Sequence, residues 1–180
     1  DFLTSGKLGK IHTVYSDFFI GAHCGGFRDR MRHVLLLDMA IHTVDAARFI
    51  TGADPLSVYC HEWNPEGSWY THGASAVAVF EMSHNIVYTY RGSWCAEGLR
   101  TTWEADWRIV GTGGTIKWDG AERLAAESPE PGTGFFRPIV PKSIPIPKMP
   151  FSGHAGVIHD FIQAVQNGTQ PMTRAADNIK

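Results

Sequence analysis

Five β-rich segments, "LSVYCHEW", "GASAVAVFEM", "IVYTYRGSW", "TTWEADWRIVG" and "TIKWDG", follow one another between Leu56 and Gly120 with only short polar or glycine-containing turns between them. Their β-branched and aromatic residues suit a pleated, half-buried surface. A parallel crossover needs a dozen or more residues, so strands joined this tightly pair mostly antiparallel. The core of the fold is therefore expected to be an antiparallel sheet.

The flanking segments complete the plan. "GKIHTVYSDFFIG", Gly9 to Gly21, alternates like a strand between its glycines. "HCGGFRDRMRH" reads as a loop, with Asp29 a candidate N-cap. From Val34 to Thr51 there is no Gly or Pro, and Gly52 stands where a helix stop is expected. "SPEPGTGFFRPIVPKSIPIPKMPF" holds most of the ten prolines and predicts a long arm or loop, neither regular helix nor central strand. "SGHAGVIHDFIQAVQNGTQP" resumes a helical pattern, with Val157, Phe161 and Val165 four apart and Asn167-Gly168 as a stop. "TRAADNIK" reads as the start of a further helix.

The order predicts an α+β fold in one domain over residues 1–180, an open sheet with helices packed on one face. Val77, Val79, Trp103 and Trp107 occupy alternating positions that could make the other face a subunit interface, so an oligomer is expected.

Composition excludes several partners. Sixteen basic and eighteen acidic residues give 16 − 18 = −2, with no run of like charge to track phosphates, so nucleic acid is not expected. No apolar run reaches the roughly 18 to 20 residues of a membrane span, and "DFLTSGKLGK" lacks the apolar core of a signal peptide. A soluble, cytoplasmic chain is expected. Cys24, Cys60 and Cys95 are widely spaced without a CxxC pair and read as reduced thiols. Ser68 and Ser93 lack a GxSxG elbow, which leaves serine hydrolysis unsupported.

The chemistry concentrates in "LLLDMAIHTVDAARFITG", Leu35 to Gly52, an apolar helix that carries Asp38, His42 and Asp45. At about 100° per residue these three share one stripe, with about 6 Å of rise between Asp38 and His42. A carboxylate one turn from an imidazole can orient it and raise its basicity, as a general base requires. Two other readings stay open. One is a satisfied polar patch in which Asp45 pairs with Arg48 and His42 is hydrogen-bonded in a half-buried seam. The other is a metal site with His12, His23 or His72 as a fourth ligand. "GTGGTI", Gly111 to Ile116, has the glycines of a nucleotide loop but continues into a strand, so it reads as a turn.

"SGKLGKIHTVYSD", "LLLDMAIHTVDAARFITGADP", "WRIVGTGGTIKWDG" and "HDFIQAVQNGTQPMT" stand in the order and spacing of the second domain of the Gfo/Idh/MocA oxidoreductases, and nearly the whole chain resembles that domain. The resemblance implies an α+β domain that follows an N-terminal Rossmann domain, binds a sugar or polyol substrate, and forms homodimers or homotetramers through its open sheet. NAD or NADP would be held by the N-terminal domain, which these residues lack together with the family's Glu-Lys-Pro segment. Carried over, His42 is the catalytic acid/base, Asp38 its orienting catalytic partner and Asp45 a substrate-hydroxyl ligand. The loop before the helix adds His23 and Arg28 as substrate-binding candidates, beside Arg32 and His33; an arginine there also suits a sugar acid. The alternative is a non-catalytic binding or assembly domain that kept the fold.

Overall fold

A computed structural model describes residues 6–144, 146 and 149–179. The chain divides into two compact units, Asp1–Ile144 and Pro145–Lys180. The larger contains one open eight-stranded sheet, mostly antiparallel, in the order β2-β3-β4-β1-β5-β6-β7-β8.

Strand β1 (Ile11–Phe19) lies in the middle of the sheet. The chain then passes through a 3₁₀ turn (Arg28–Arg30), a π turn (Leu36–Ala40) and helix α1 (Ile41–Thr51) to reach the far edge. There β2 (Pro55–Trp63), β3 (Ser75–Met82) and β4 (Ile86–Ser93) return by two hairpins. Two reversals give β4 the direction of β2, which is why β4 meets β1 as a parallel neighbour while every other pair is antiparallel. Strands β5 (Asp106–Gly111), β6 (Gly114–Trp118), β7 (Leu124–Pro129) and β8 (Ile139–Lys142) meander outward on the other side of β1.

The α+β expectation holds, and its details change in three places. The segment predicted as a strand from Thr101 starts only at Asp106, because Ala105 takes a left-handed φ of 64° that ends the preceding loop. Two strands are added, β7 and β8, the second inside the proline-rich arm. Pro141 is tolerated there because β8 pairs only with β7 and forms the sheet edge. Asp29 lies in the 3₁₀ turn and caps nothing; the helical segment opens without a side-chain cap.

Register sorts the two faces. Val14, Ser16 and Phe18 of β1 alternate inward with Ile86, Tyr88 and Tyr90 of β4, and all six are buried. Within this layer the hydroxyls of Ser16 and Tyr88 lie 2.8 Å apart, and Tyr88 stacks on Phe80 and Trp107. Burial pushes the Tyr88 phenol well above its ordinary range. The opposite, open face runs His61–Val77–Arg91–Asp17–Asp106 across five strands. Val77 and Val79 belong to it as expected, but Trp107 does not: it pairs with Ser16 and Trp118 and is buried. Trp103 lies in the loop before β5, edge-on to Trp94 and tilted against Phe18.

The glycines of "GTGG" are turn glycines, as predicted. Gly111 closes β5 so tightly that a Cβ there would come within 2.3 Å of the Leu8 carbonyl oxygen, which accepts the Gly113 N–H. On the helix side, Val34, Leu35, Ala40, Thr43 and Ala47 are buried. Gly52 ends α1 in the left-handed region, φ 64°, with its N–H donated to the Arg48 carbonyl at 2.8 Å.

In the smaller unit, α2 (Gly153–Asn167) ends at Gly168, again left-handed, and α3 (Ala175–Asn178) is a single turn. The Asp160 carboxylate accepts the Met172 N–H at 2.8 Å, which ties the segment after α2 back onto the helix. Val157, Phe161 and Val165 are exposed. Cys24, Cys60 and Cys95 are free thiols. Among the described residues no helix is long and apolar enough to cross a membrane.

Candidate functional site

Residues 34–51 are helical throughout, as predicted, yet they are not one regular α-helix. Leu36–Ala40 form a π turn, a wider coil that inserts a residue into the ladder and recurs at functional positions. Asp38 lies within this turn and His42 in the first turn of α1, so the 100° spacing that stacked them does not apply between them.

Asp38 finds another partner. The Arg28 guanidinium donates from Nε to Oδ2 at 2.8 Å and from Nη2 to Oδ1 at 3.2 Å, engaging both carboxylate oxygens. Phe27 backs the arginine, with Cζ 4.8 Å from the ring centroid. The hydrogen bonds and charge of Asp38 raise the arginine pKa above its ordinary value. The structure thus joins two residues that the sequence had placed in separate roles.

His42 is exposed and has no hydrogen-bond or ion-pair partner among the described residues. Neither Asp38 nor Asp45 bonds it. Asp45 lies 3.5 Å from Arg48 Nη1, the i,i+3 pair of the polar-patch reading. Arg48 also binds Asp54, donating from Nη2 at 2.7 Å and from Nε at 3.2 Å. The other half of that reading, a histidine hydrogen-bonded in a half-buried seam, is not what the structure contains. Nor do the described residues gather three or more His, Cys, Asp or Glu side chains in a metal-holding group.

His23 has different neighbours. Its ring stacks on Trp69 with centroids 3.7 Å apart and planes 16° from parallel, and its Nε2 lies 3.0 Å from Glu97 Oε1. Trp69 Nε1 and the Tyr70 hydroxyl both donate to the Ala22 carbonyl, at 3.0 and 2.6 Å. Burial pushes the Tyr70 phenol up to about 12. His33, with a left-handed φ of 56°, places Nδ1 2.5 Å from Glu62 Oε2, while Glu62 Oε1 is buried without a partner among the described residues. Trp69, Glu97 and Glu62 were not legible as neighbours of this loop. They come from distant connections and a distant strand, and no local spacing announces them.

The open face of the sheet carries a separate hollow of about 760 Å³, whose lining includes Asp17, Arg91, Asp106, Lys117, Asp119 and Arg123. Arg91 grips Asp17 through two hydrogen bonds of 2.7 and 2.5 Å. Burial first, and the charges of Asp119 and Asp17 next, hold the Asp106 carboxyl above its ordinary range. Backbone N–H groups of Ala121 and Arg123 hold Asp119 below it.

The helix therefore presents an imidazole that has no partner among the described residues. One turn before it stands an arginine–carboxylate pair with donors and acceptors to spare. Comparison with known proteins gives this arrangement a family. Residues 1–117 match the GFO/IDH/MocA C-terminal domain. The uncharacterized protein y4oX of Sinorhizobium fredii is 28% identical over 120 residues, 64% of this chain and 33% of its own length. An oxidoreductase from Agrobacterium radiobacter, solved with NAD+, L-tartaric acid and magnesium, superposes with a TM-score of 0.77 at 18% identity, covering 98% of this chain and 53% of its own. The aldose-aldose oxidoreductase of Caulobacter crescentus, solved with glycerol, gives 0.73 at 18% identity, covering 98% and 52%. The chain thus spans a third of the curated relative and about half of each solved structure. At such identities the structural likeness is one of fold, whereas the sequence match over residues 1–117 is one of descent: the chain belongs to the Gfo/Idh/MocA family, as its C-terminal domain.

Proposed function

We propose that the chain is the substrate-facing and assembly part of an NAD(P)-dependent oxidoreductase acting on a sugar, polyol or related hydroxy compound, with His42 as general acid/base. His42 itself carries the reading. It is exposed on a helix of a domain of this family and without a hydrogen-bond or ion-pair partner among the described residues, so both ring nitrogens are open to a substrate hydroxyl. Leu37, Ile41 and Phe49, on the same helical segment, are exposed apolar side chains of the kind an opposing domain would cover.

In this reading His42 takes the proton of the substrate hydroxyl as the carbon that bears it is oxidised, and returns it in the reverse direction; a bound nicotinamide would supply the acceptor for that carbon's hydride. The Arg28–Asp38 pair supplies a donor and an acceptor to neighbouring hydroxyls, and Asp45 a further acceptor one turn on. His23, flat on Trp69, would border the substrate from the preceding loop. The relatives solved with L-tartaric acid and with glycerol hold small polyhydroxylated molecules, which favours this substrate class.

Two places that could be compared with a dinucleotide phosphate loop do not suit one. Gly111–Gly114 join two strands, and the helical segment after β1 carries Asp38 in its first turn, where an anion site needs no negative charge. The cofactor is therefore assigned to a part of the full-length protein outside these residues. Fluorescence titration with NADH tests that division: the full-length protein saturates, and the 180-residue chain gives no saturable signal. Saturable binding to the chain alone contradicts it.

The open sheet face is assigned to self-association. Tyr15, Tyr59, Trp63, Val79 and Val87 are exposed there, around the charged hollow. Val79→Lys is expected to reduce the mass measured by light scattering to that of a smaller assembly or a monomer. An unchanged mass removes this face from the interface.

A further inference from the structure

The expected hydrogen bond between Asp38 and His42 is absent, and what replaces it is specific. Both carboxylate oxygens of Asp38 are taken by one guanidinium, through bonds of 2.8 and 3.2 Å, and that guanidinium comes from the loop before the helix. A two-pronged arginine–carboxylate pair fixes the plane of the carboxylate as well as its position. Asp38 is mostly shielded from solvent, with 19% of its side-chain surface exposed, so the grip is not loosened by free access of water.

The consequence concerns the imidazole. A carboxylate hydrogen-bonded to a histidine stabilises the imidazolium and keeps the ring protonated to higher pH. Each neutral ring is then a stronger base, but at neutral pH a larger fraction of the rings already carries the proton and cannot accept another from an alcohol. We propose that Arg28 is a positioning residue: it withholds Asp38 from His42, and so keeps the imidazole available as a proton acceptor. The proposal rests on the reading of His42 as the acid/base.

The other charged groups near His42 do not take over the role. Asp45 faces Arg48, which Asp54 also engages. Of the titratable groups on β1, the strand packed against α1, Tyr15 and Asp17 lie on the far face of the sheet and His12 at the exposed start of the strand, bonded to Thr13. Asp38, four residues before His42 on the same helical segment, is the carboxylate that the arginine variants leave without its partner.

The test is the proton titration of His42 by NMR in the full-length protein with labelled histidine, the signal being assigned by its loss in His42→Gln. Arg28→Ala frees Asp38 and is expected to move the midpoint up by about one pH unit. A slowly exchanging, downfield ring N–H, missing from the parent, should appear with it. Arg28→Lys keeps the charge but cannot grip both oxygens; it moves the midpoint less, in the same direction, and serves if the alanine variant does not fold. Arg28→Ala combined with Asp38→Asn removes the pair as a neutral whole, returns the midpoint to that of the parent and abolishes the new N–H signal. An unmoved midpoint with no such proton in the arginine variants overturns the inference. So does a double variant that titrates well below the parent, since Asp38 would then already serve His42. These readouts need no turnover, so an inactive protein that titrates as described counts against the oxidoreductase reading and not against this one.

Discussion

Phe18→Ala is expected to lower the free energy of unfolding by about 3–5 kcal/mol, the usual cost of emptying a fully buried aromatic site. Phe18 is 0% exposed at the C-terminal end of the central strand β1. Its ring stacks on Trp94 at 5.9 Å and meets Trp103 at 6.4 Å. Removing it leaves a hole between the sheet and the loop that carries Trp103, and the buried indole of Trp94 loses its stacking partner. The tryptophans cannot close the hole without leaving positions fixed by β4 and by the loop into β5. Phe49→Ala is the control: Phe49 is 74% exposed on α1 in this chain, and its loss should change stability by no more than about 0.5 kcal/mol. Urea unfolding of the two variants beside the parent measures both values. A loss below about 1 kcal/mol for Phe18→Ala would show that β1 does not sit at the centre of the core.

Phe18 also illustrates what could be read before folding. Its strand alternates between two glycines, a pattern with one plausible periodicity, and the five segments from Leu56 onward do the same. The misreadings have local physical causes. Strand β7, "LAAESP", is short, rich in alanine and ends at a proline, so it carries little β signal. Strand β8 follows Pro138 and contains Pro141, so it is tolerated only at an edge, which a sequence does not announce. Trp107 was placed on the open face with Trp103, as alternating positions of one predicted strand. The strand begins at Asp106, and its pairing with β1 decides which side Trp107 takes.

The candidate site divides in the same way. The helix, its stop at Gly52 and the identities of Asp38, His42 and Asp45 were legible, because they depend on residues close in sequence. The partners were not. An α-helical spacing of 100° stacks Asp38 under His42, and a π turn between Leu36 and Ala40 has no signature in composition that would forbid the inference. Arg28 reaches Asp38 from ten residues earlier, across the loop before the helical segment, and His23 meets Trp69 and Glu97 from connections dozens of residues away. Local period fixes which residues share an element, and tertiary closure decides which of them touch.

His42→Ala carries the largest expected effect on activity. The side chain is exposed and bonds nothing among the described residues, so its truncation should leave folding and stability unchanged. Its chemical role would be lost entirely, since no other imidazole shares the helical segment and Asp38 is bound to Arg28. A lost general acid/base costs about two to four orders of magnitude in kcat. The most direct test is therefore the saturating rate of nicotinamide reduction at 340 nm, with a sugar or polyol, by full-length parent and His42→Ala proteins that unfold at the same temperature. The expected result is turnover by the parent and a kcat lower by about 10² to 10⁴ in the variant; equal rates, or no turnover by the parent with any sugar or polyol, would contradict the assignment.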